Sequence, residues 1–167
     1  MTTVLFRLAP MCVLALLAAA PAFGDGAETP SAVGLWQTID DETNKPKSHV
    51  RIEKEGGELV GRIVHLIDPK EPEPVCSKCD GEKHDKPIVG LEIMWDLRKK
   101  TGKDKPTWEG GSILDPKNGK TYDCKIWLED PNTLTVRGSF LFIGRNQTWH
   151  RIDADGVGYL DLSRPEL

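Results

Sequence analysis

The chain has 167 residues, of which 38% are hydrophobic and 29% charged, and a formal net charge of −4. That length suits one domain. The mild acidity argues against nucleic acid as a partner, because neutralising phosphates needs a basic face.

The first residues stand apart from the rest. Arg7 forms a short positive n-region, and Leu8 to Ala20 is apolar. That run falls short of the ~20 residues needed to cross a bilayer. Ala20-Pro21-Ala22 fits an A-x-A cleavage pattern, with Gly24 as the second choice. Residues 1–22 therefore read as a cleaved secretory signal peptide rather than a retained anchor. Removing Arg7 takes the net charge from −4 to −5. The mature protein is expected to be periplasmic or secreted, with no membrane span. A domain of this size buries about 68–70% of its unfolded surface, so it needs neither metal nor disulfide merely to fold.

Residues 23–32 are small and polar and read as a disordered leader. Val33 to Thr38 opens the domain as a strand. Asp40 to Lys47 is a polar turn, and Ser48 to Lys54 alternates with Val50 and Ile52 on one face. Glu55-Gly56-Gly57-Glu58 is a tight turn into a strand over Leu59 to Ile67. Asp68 to Pro87 breaks the pattern, with four prolines and two cysteines and no hydrophobic period. A loop of that length inside a domain is usually functional or tied down. Ile88 to Leu97 resumes as a strand carrying Trp95.

Trp108–Leu114, the turn Asp115-Pro116-Lys117-Asn118-Gly119, and Tyr122–Leu128 form a hairpin signature, because Asn-Gly supplies the positive φ angles a tight turn needs. Tyr122, Cys124, Ile126 and Leu128 share one face at period two, with Trp127 on the other. Gly110-Gly111 predicts a bulge or bend. Thr133 to Gly138 is a strand with Leu134 and Val136 inward. Phe140 to Gly144 reads as a strand end or a turn packed over an opening. Asn146 to Ile152 is the last strand, and residues 153–167 read as a loose tail. Eight or so short strands at regular spacing predict a sandwich or a closed barrel, and closure leaves no exposed edges.

The segments G-L-W at Gly34–Trp36, D-D-E-T-N-K-P-K-S at Asp40–Ser48 and C-S-K-C at Cys76–Cys79 resemble the DUF2147 family of exported bacterial proteins. The segments W-E-G-G-S-I-L-D-P-K-N-G-K-T-Y-D-C at Trp108–Cys124 and L-T-V-R-G at Leu134–Gly138 carry the same resemblance, which covers residues 33–152. It implies a lipocalin-like (calycin) barrel and no established activity, so no catalytic residues carry over. Lipocalins open strand one with G-x-W, which Gly34 and Trp36 fit. They often lay a late arginine across that tryptophan, a role open to Arg151 or Arg137 as a cation–π contact. No C-terminal helix of the usual lipocalin kind is legible. The expected fold is thus all-β, a single antiparallel up-and-down lipocalin-like barrel with a long Pro/Cys loop.

Cys76, Cys79 and Cys124 lie after the signal peptide, and in an oxidising periplasm a pair should become a disulfide. The leading expectation bridges Cys76 or Cys79 to Cys124, pinning the long loop to the central hairpin; closing ~45 residues would contribute roughly 3–4 kcal/mol. A local Cys76–Cys79 bridge is the alternative. Redox catalysis at C-x-x-C would need a helix N-terminus, which Pro74-Val75-Cys76 does not offer. A tetrahedral metal site from Cys76, Cys79, His84 and Cys124 is a further alternative. No phosphate loop, nucleophile elbow or dinucleotide fingerprint is present, and no cofactor is expected.

Trp36 is expected in the core. Trp95, Trp108, Tyr122 and Trp149 are the candidate lining of a ligand cavity, since small barrels can enclose one ligand. The preferred reading is a protein that binds a small apolar or amphipathic ligand rather than transforming it. The alternatives are an envelope protein-interaction or inhibitor module using the 68–87 loop, and a thiol- or metal-dependent protein using the cysteines.

Overall fold

A computed structural model describes residues 30–152. The signal peptide at 1–22, most of the leader at 23–32 and the tail at 153–167 lie outside the described residues. Eight strands run in order: β1 (Gly34–Ile39), β2 (Pro46–Glu55), β3 (Glu58–Leu66), β4 (Glu92–Lys100), β5 (Thr107–Asp115), β6 (Lys120–Asp130), β7 (Thr133–Phe140) and β8 (Ile143–Ile152). Each pairs antiparallel with the next, and β8 pairs back to β1 through Leu35–Ile152, Trp36–Arg151 and Gln37–His150. The result is a closed up-and-down barrel.

The fourth strand starts later than expected, at Glu92 rather than Ile88. Residues 88–91 are held by turn contacts instead. The Ile88 amide donates to the Pro74 carbonyl (2.9 Å) and the Gly90 amide to that of Ile63 (2.7 Å). The Gly110-Gly111 bulge is present as a register shift between β5 and β6. On β6, Cys124, Ile126 and Leu128 are buried while Trp127 is half-buried on the other face.

The interior is packed solid. Trp36, Val50, Ile52, Met94, Leu97, Ile126 and Leu134 have 0% exposure. A side chain with no accessible surface borders no void wide enough for a water molecule. Trp149 and Trp108 join this core at 2% and 5% exposure.

Trp36 is fixed from two sides. Its indole N–H donates to the Ala32 carbonyl at 2.8 Å, and the Arg151 guanidinium lies 4.3 Å from the ring centroid. Arg151 also donates to the carbonyls of Pro131 (2.7 Å), Val33 (2.9 Å) and Ser31 (2.7 Å). One side chain thereby ties the chain before β1, the β6–β7 turn and β8 together. Gly34 is required here: its φ is +147°, and a Cβ would collide with the Arg151 guanidinium. This gives the G-x-W pattern its physical reason.

Because strands alternate in direction, the turns after β1, β3, β5 and β7 share one end of the barrel, and the Trp36–Arg151 cluster closes the other. Replacing Arg151 with Ala removes the cation–π contact and three charge-assisted hydrogen bonds, a loss of about 2 kcal/mol in a partly exposed setting. Urea unfolding should show that loss, with Arg151→Lys recovering only part of it. An unchanged midpoint for Arg151→Ala would refute the role.

Candidate ligand cleft beside the cystine loop

The β3–β4 connection is tied down as the loop-length argument requires. Val75 bridges Pro87, and the Cys76 amide donates to the Lys86 carbonyl at 2.8 Å, making a short ribbon. Cys76 and Cys79 are joined as a disulfide and are 0% and 2% exposed. Gly81–Lys83 adds one 3-10 turn, and His84 Nδ1 lies 2.8 Å from the Cys79 carbonyl oxygen.

This loop docks on the β5–β6 turn. Cys76 Sγ sits 3.7 Å from the Pro116 carbonyl oxygen. Gly119 has φ +73°, and a Cβ there would overlap the Lys78 carbonyl. The glycine of the Asn-Gly turn therefore serves both the turn and the seat of the loop.

The cysteine expectation is corrected at Cys124. It forms no bridge to Cys76 or Cys79, and is a buried free thiol on the inward face of β6, paired with Gly111 and Gly138. A core position on a strand keeps it away from the loop, so the two loop cysteines close on each other. A ring this short contributes about 2 kcal/mol, less than the long closure would. The same bond removes Cys76 and Cys79 from the Cys76, Cys79, His84 and Cys124 metal set. Among the described residues no group of three or more His, Cys, Asp or Glu could hold an ion. Burial pushes the Cys124 thiol up to about 12.

The acidic run after β1 is occupied in holding turns. Asp40 accepts from the amides of Glu42 (3.1 Å) and Thr43 (2.9 Å) and from the Thr43 hydroxyl (3.0 Å). Those bonds, the Thr43 amide foremost, hold its carboxyl below the usual range. Asp41 pairs with Arg145 at 3.0 Å and accepts from Gln147, while Glu42 pairs with Lys117 at 2.7 Å. These carboxylates link the β1–β2 turn to the β7–β8 and β5–β6 turns and do not converge on one point.

Between the cystine loop and the ends of β5, β6 and β7 lies a cleft of about 550 Å³. Leu114, Thr121, Tyr122 and Phe140 form the strand side, and Cys79, Asp80 and Lys83 the loop side, with Lys120 at the turn. Asn118 donates its amide to the Tyr122 hydroxyl at 3.1 Å. Lys83 is held over the Trp95 ring at 3.7 Å and donates to the Glu92 carbonyl at 2.9 Å. Its pKa is lowered, first by burial, with Glu92 opposing.

Of the four aromatic candidates, Tyr122 lines this cleft and Trp95 stands behind it under Lys83. Trp108 and Trp149 lie in the packed interior. Sequence reasoning missed Leu114, Lys83, Lys120 and Phe140. Phe140 had a signal, since it continues the period-two series Leu134, Val136, Gly138. Lys83 had none, because only the folded loop brings it to the cleft.

A family model described as an uncharacterized protein conserved in bacteria, DUF2147, matches residues 34–151. The chain belongs to the DUF2147 family. A solved structure titled "Protein HP1028 from the human pathogen Helicobacter pylori belongs to the lipocalin family" superposes with a TM-score of 0.65 at 19% identity, covering 76% of this chain and 86% of that one. This likeness shows the fold: the DUF2147 barrel is lipocalin-like. No curated protein matches the sequence at a significant level.

Two outcomes check the loop and the thiol. In protein starting at residue 23, no thiol should react with a thiol reagent near pH 8 while folded, and one per chain after unfolding without reductant; any other count contradicts the cystine assignment. Gly119→Ala should destabilise by about 1–2 kcal/mol through its positive φ and the collision with the loop. Hydrogen exchange around Cys79 and Leu114 should rise with it, and unchanged protection there would argue against the docking contact.

Proposed function

We propose that this chain is an exported bacterial barrel that binds a small amphipathic molecule in the cleft at the cystine loop, not in the barrel interior. The observation that carries the reading is the contrast between the two spaces. The innermost side chains, Trp36, Met94, Leu97 and Ile126 among them, have no accessible surface, whereas the cleft has the size and mixed lining of a small-molecule site. An apolar body would pack against Leu114, Tyr122 and Phe140. An acidic group would sit near Lys83 and Lys120, where its opposite charge would offset the desolvation that lowers the Lys83 pKa. Export is supported by the leader sequence and by a cystine, which persists in oxidising compartments.

A solid interior also favours a second reading, an envelope protein-interaction module using residues 68–87, which the cystine holds in one shape.

Native mass spectrometry on protein purified from its own host's periplasm separates the two. The binding reading expects a chain starting near residue 23 with one disulfide and a reproducible organic adduct lost on denaturation. Tyr122→Ala with Lys120→Gln should lower retention of that adduct by about tenfold, as expected for losing an apolar contact and a charge together. A bare disulfide-bonded monomer that takes up no fatty acid or similar amphiphile would discard this reading in favour of the second.

A further inference from the structure

The tip of the β7–β8 hairpin is built against the ordinary rules for water. Phe140, Leu141, Phe142 and Ile143 are 63%, 76%, 100% and 83% exposed. Phe140 pairs with Ile143, so Leu141-Phe142 is the whole turn, and Leu141 holds φ +55°. Two-residue hairpin turns favour Asn-Gly because those residues tolerate positive φ. The two-residue β2–β3 turn of this same chain uses Gly56-Gly57, both at positive φ. Here a leucine takes the unfavourable backbone geometry and four consecutive apolar side chains face solvent. Neither choice helps a water-exposed turn.

The surroundings narrow what could cover the tip. β7 is hydrogen-bonded on both sides, and β8 pairs with β7 along its length and with β1 at residues 150–152, while Asp41 of the β1–β2 turn binds Arg145 and Gln147 along the rest of that side. The turn residues Leu141 and Phe142 stand in solvent, and of the four only Phe140 borders the cleft. At about 150–250 Å² per aromatic side chain, it presents more apolar surface than a monomer usually leaves bare. It still falls short of the ~800 Å² per partner of a standard protein interface. Beside the tip, Arg145 is matched by Asp41 and Arg137 is held by the Asn146 side-chain oxygen. The turns at the opposite end carry Lys99, Lys100, Lys103, Asp104 and Lys105 instead.

We propose that the Phe140–Ile143 tip inserts into the apolar margin of a lipid bilayer and docks the barrel there by this end. A shallow apolar wedge suits the boundary between head groups and acyl chains, where such elements bury ~5–10 Å deep. Insertion is then driven by apolar transfer and does not require anionic lipid. The proposal stands on the tip alone. Phe140 also lines the cleft, so if the ligand reading holds, docking places the cleft mouth at the membrane surface.

The test is flotation of the chain from residue 23, which contains the whole barrel, with phosphatidylcholine vesicles at low and high salt. The wild type should float with neutral vesicles and resist salt. The double variant Leu141→Gly/Phe142→Asn puts glycine at the one positive-φ position of the turn, so its thermal midpoint should hold or rise. Its partitioning should fall by at least about tenfold, as two large apolar side chains no longer leave water. Three results would overturn the proposal: no flotation of the wild type, equal flotation of the variant, or flotation that needs anionic lipid and vanishes in salt. A dimer on size exclusion that the variant dissolves would also overturn it, making a second copy the occupant. Retention of a bound organic adduct by the variant distinguishes loss of docking from loss of the cleft.

Discussion

The contact between Trp36 and Arg151 is the constraint on which the barrel depends. It joins the first strand to the last, which is where an eight-stranded sheet either closes or leaves two edges. The guanidinium roofs the indole and caps three carbonyls from two other segments, so closure, the chain entering β1 and the β6–β7 turn are fixed by one group. Gly34 is the space that makes this possible. Once the sheet is closed at this diameter, Trp36, Met94, Leu97 and Trp149 fill it.

A filled interior moves any chemistry to the opposite end. There the turns are linked by paired charges and by the docked cystine loop. Exposed ion pairs are individually worth little, but Asp41–Arg145 and Glu42–Lys117 join neighbouring turns into one surface. The cystine, buried against Leu114, lets a proline-rich segment without periodicity hold a single shape. The cleft exists because that loop stands off the ends of β5 to β7 instead of collapsing onto them.

The three described cysteines divide between a cystine and a buried thiol. Two loop thiols are consumed in a bond suited to an oxidising environment, and the third is sealed in the core with its thiolate disfavoured by burial. No free, activated thiol remains among the described residues. The binding proposed at the cleft and at the hairpin tip calls on no such thiol.

Much of this was legible in the residues. Period-two alternation on β6 put Tyr122, Cys124, Ile126 and Leu128 on one face, and Asn118-Gly119 marked the central turn. These are local signals, because side-chain alternation and turn geometry are set by neighbouring backbone angles; the partner of Trp36 came from the lipocalin resemblance, which left Arg151 and Arg137 open. The cysteine pairing was not legible, since three thiols allow several bridges and only the fold shows that Cys124 points into the core. The aromatic residues could not be sorted either: a strand period names a face but not what fills the space before it. Whether the barrel is hollow, that Lys83 reaches Trp95, and that Phe140 to Ile143 stand in solvent all depend on contacts between segments far apart in the chain. Sequence alone determined the class of fold and its central turn; tertiary structure decided where the space lies, because volume belongs to all eight strands at once.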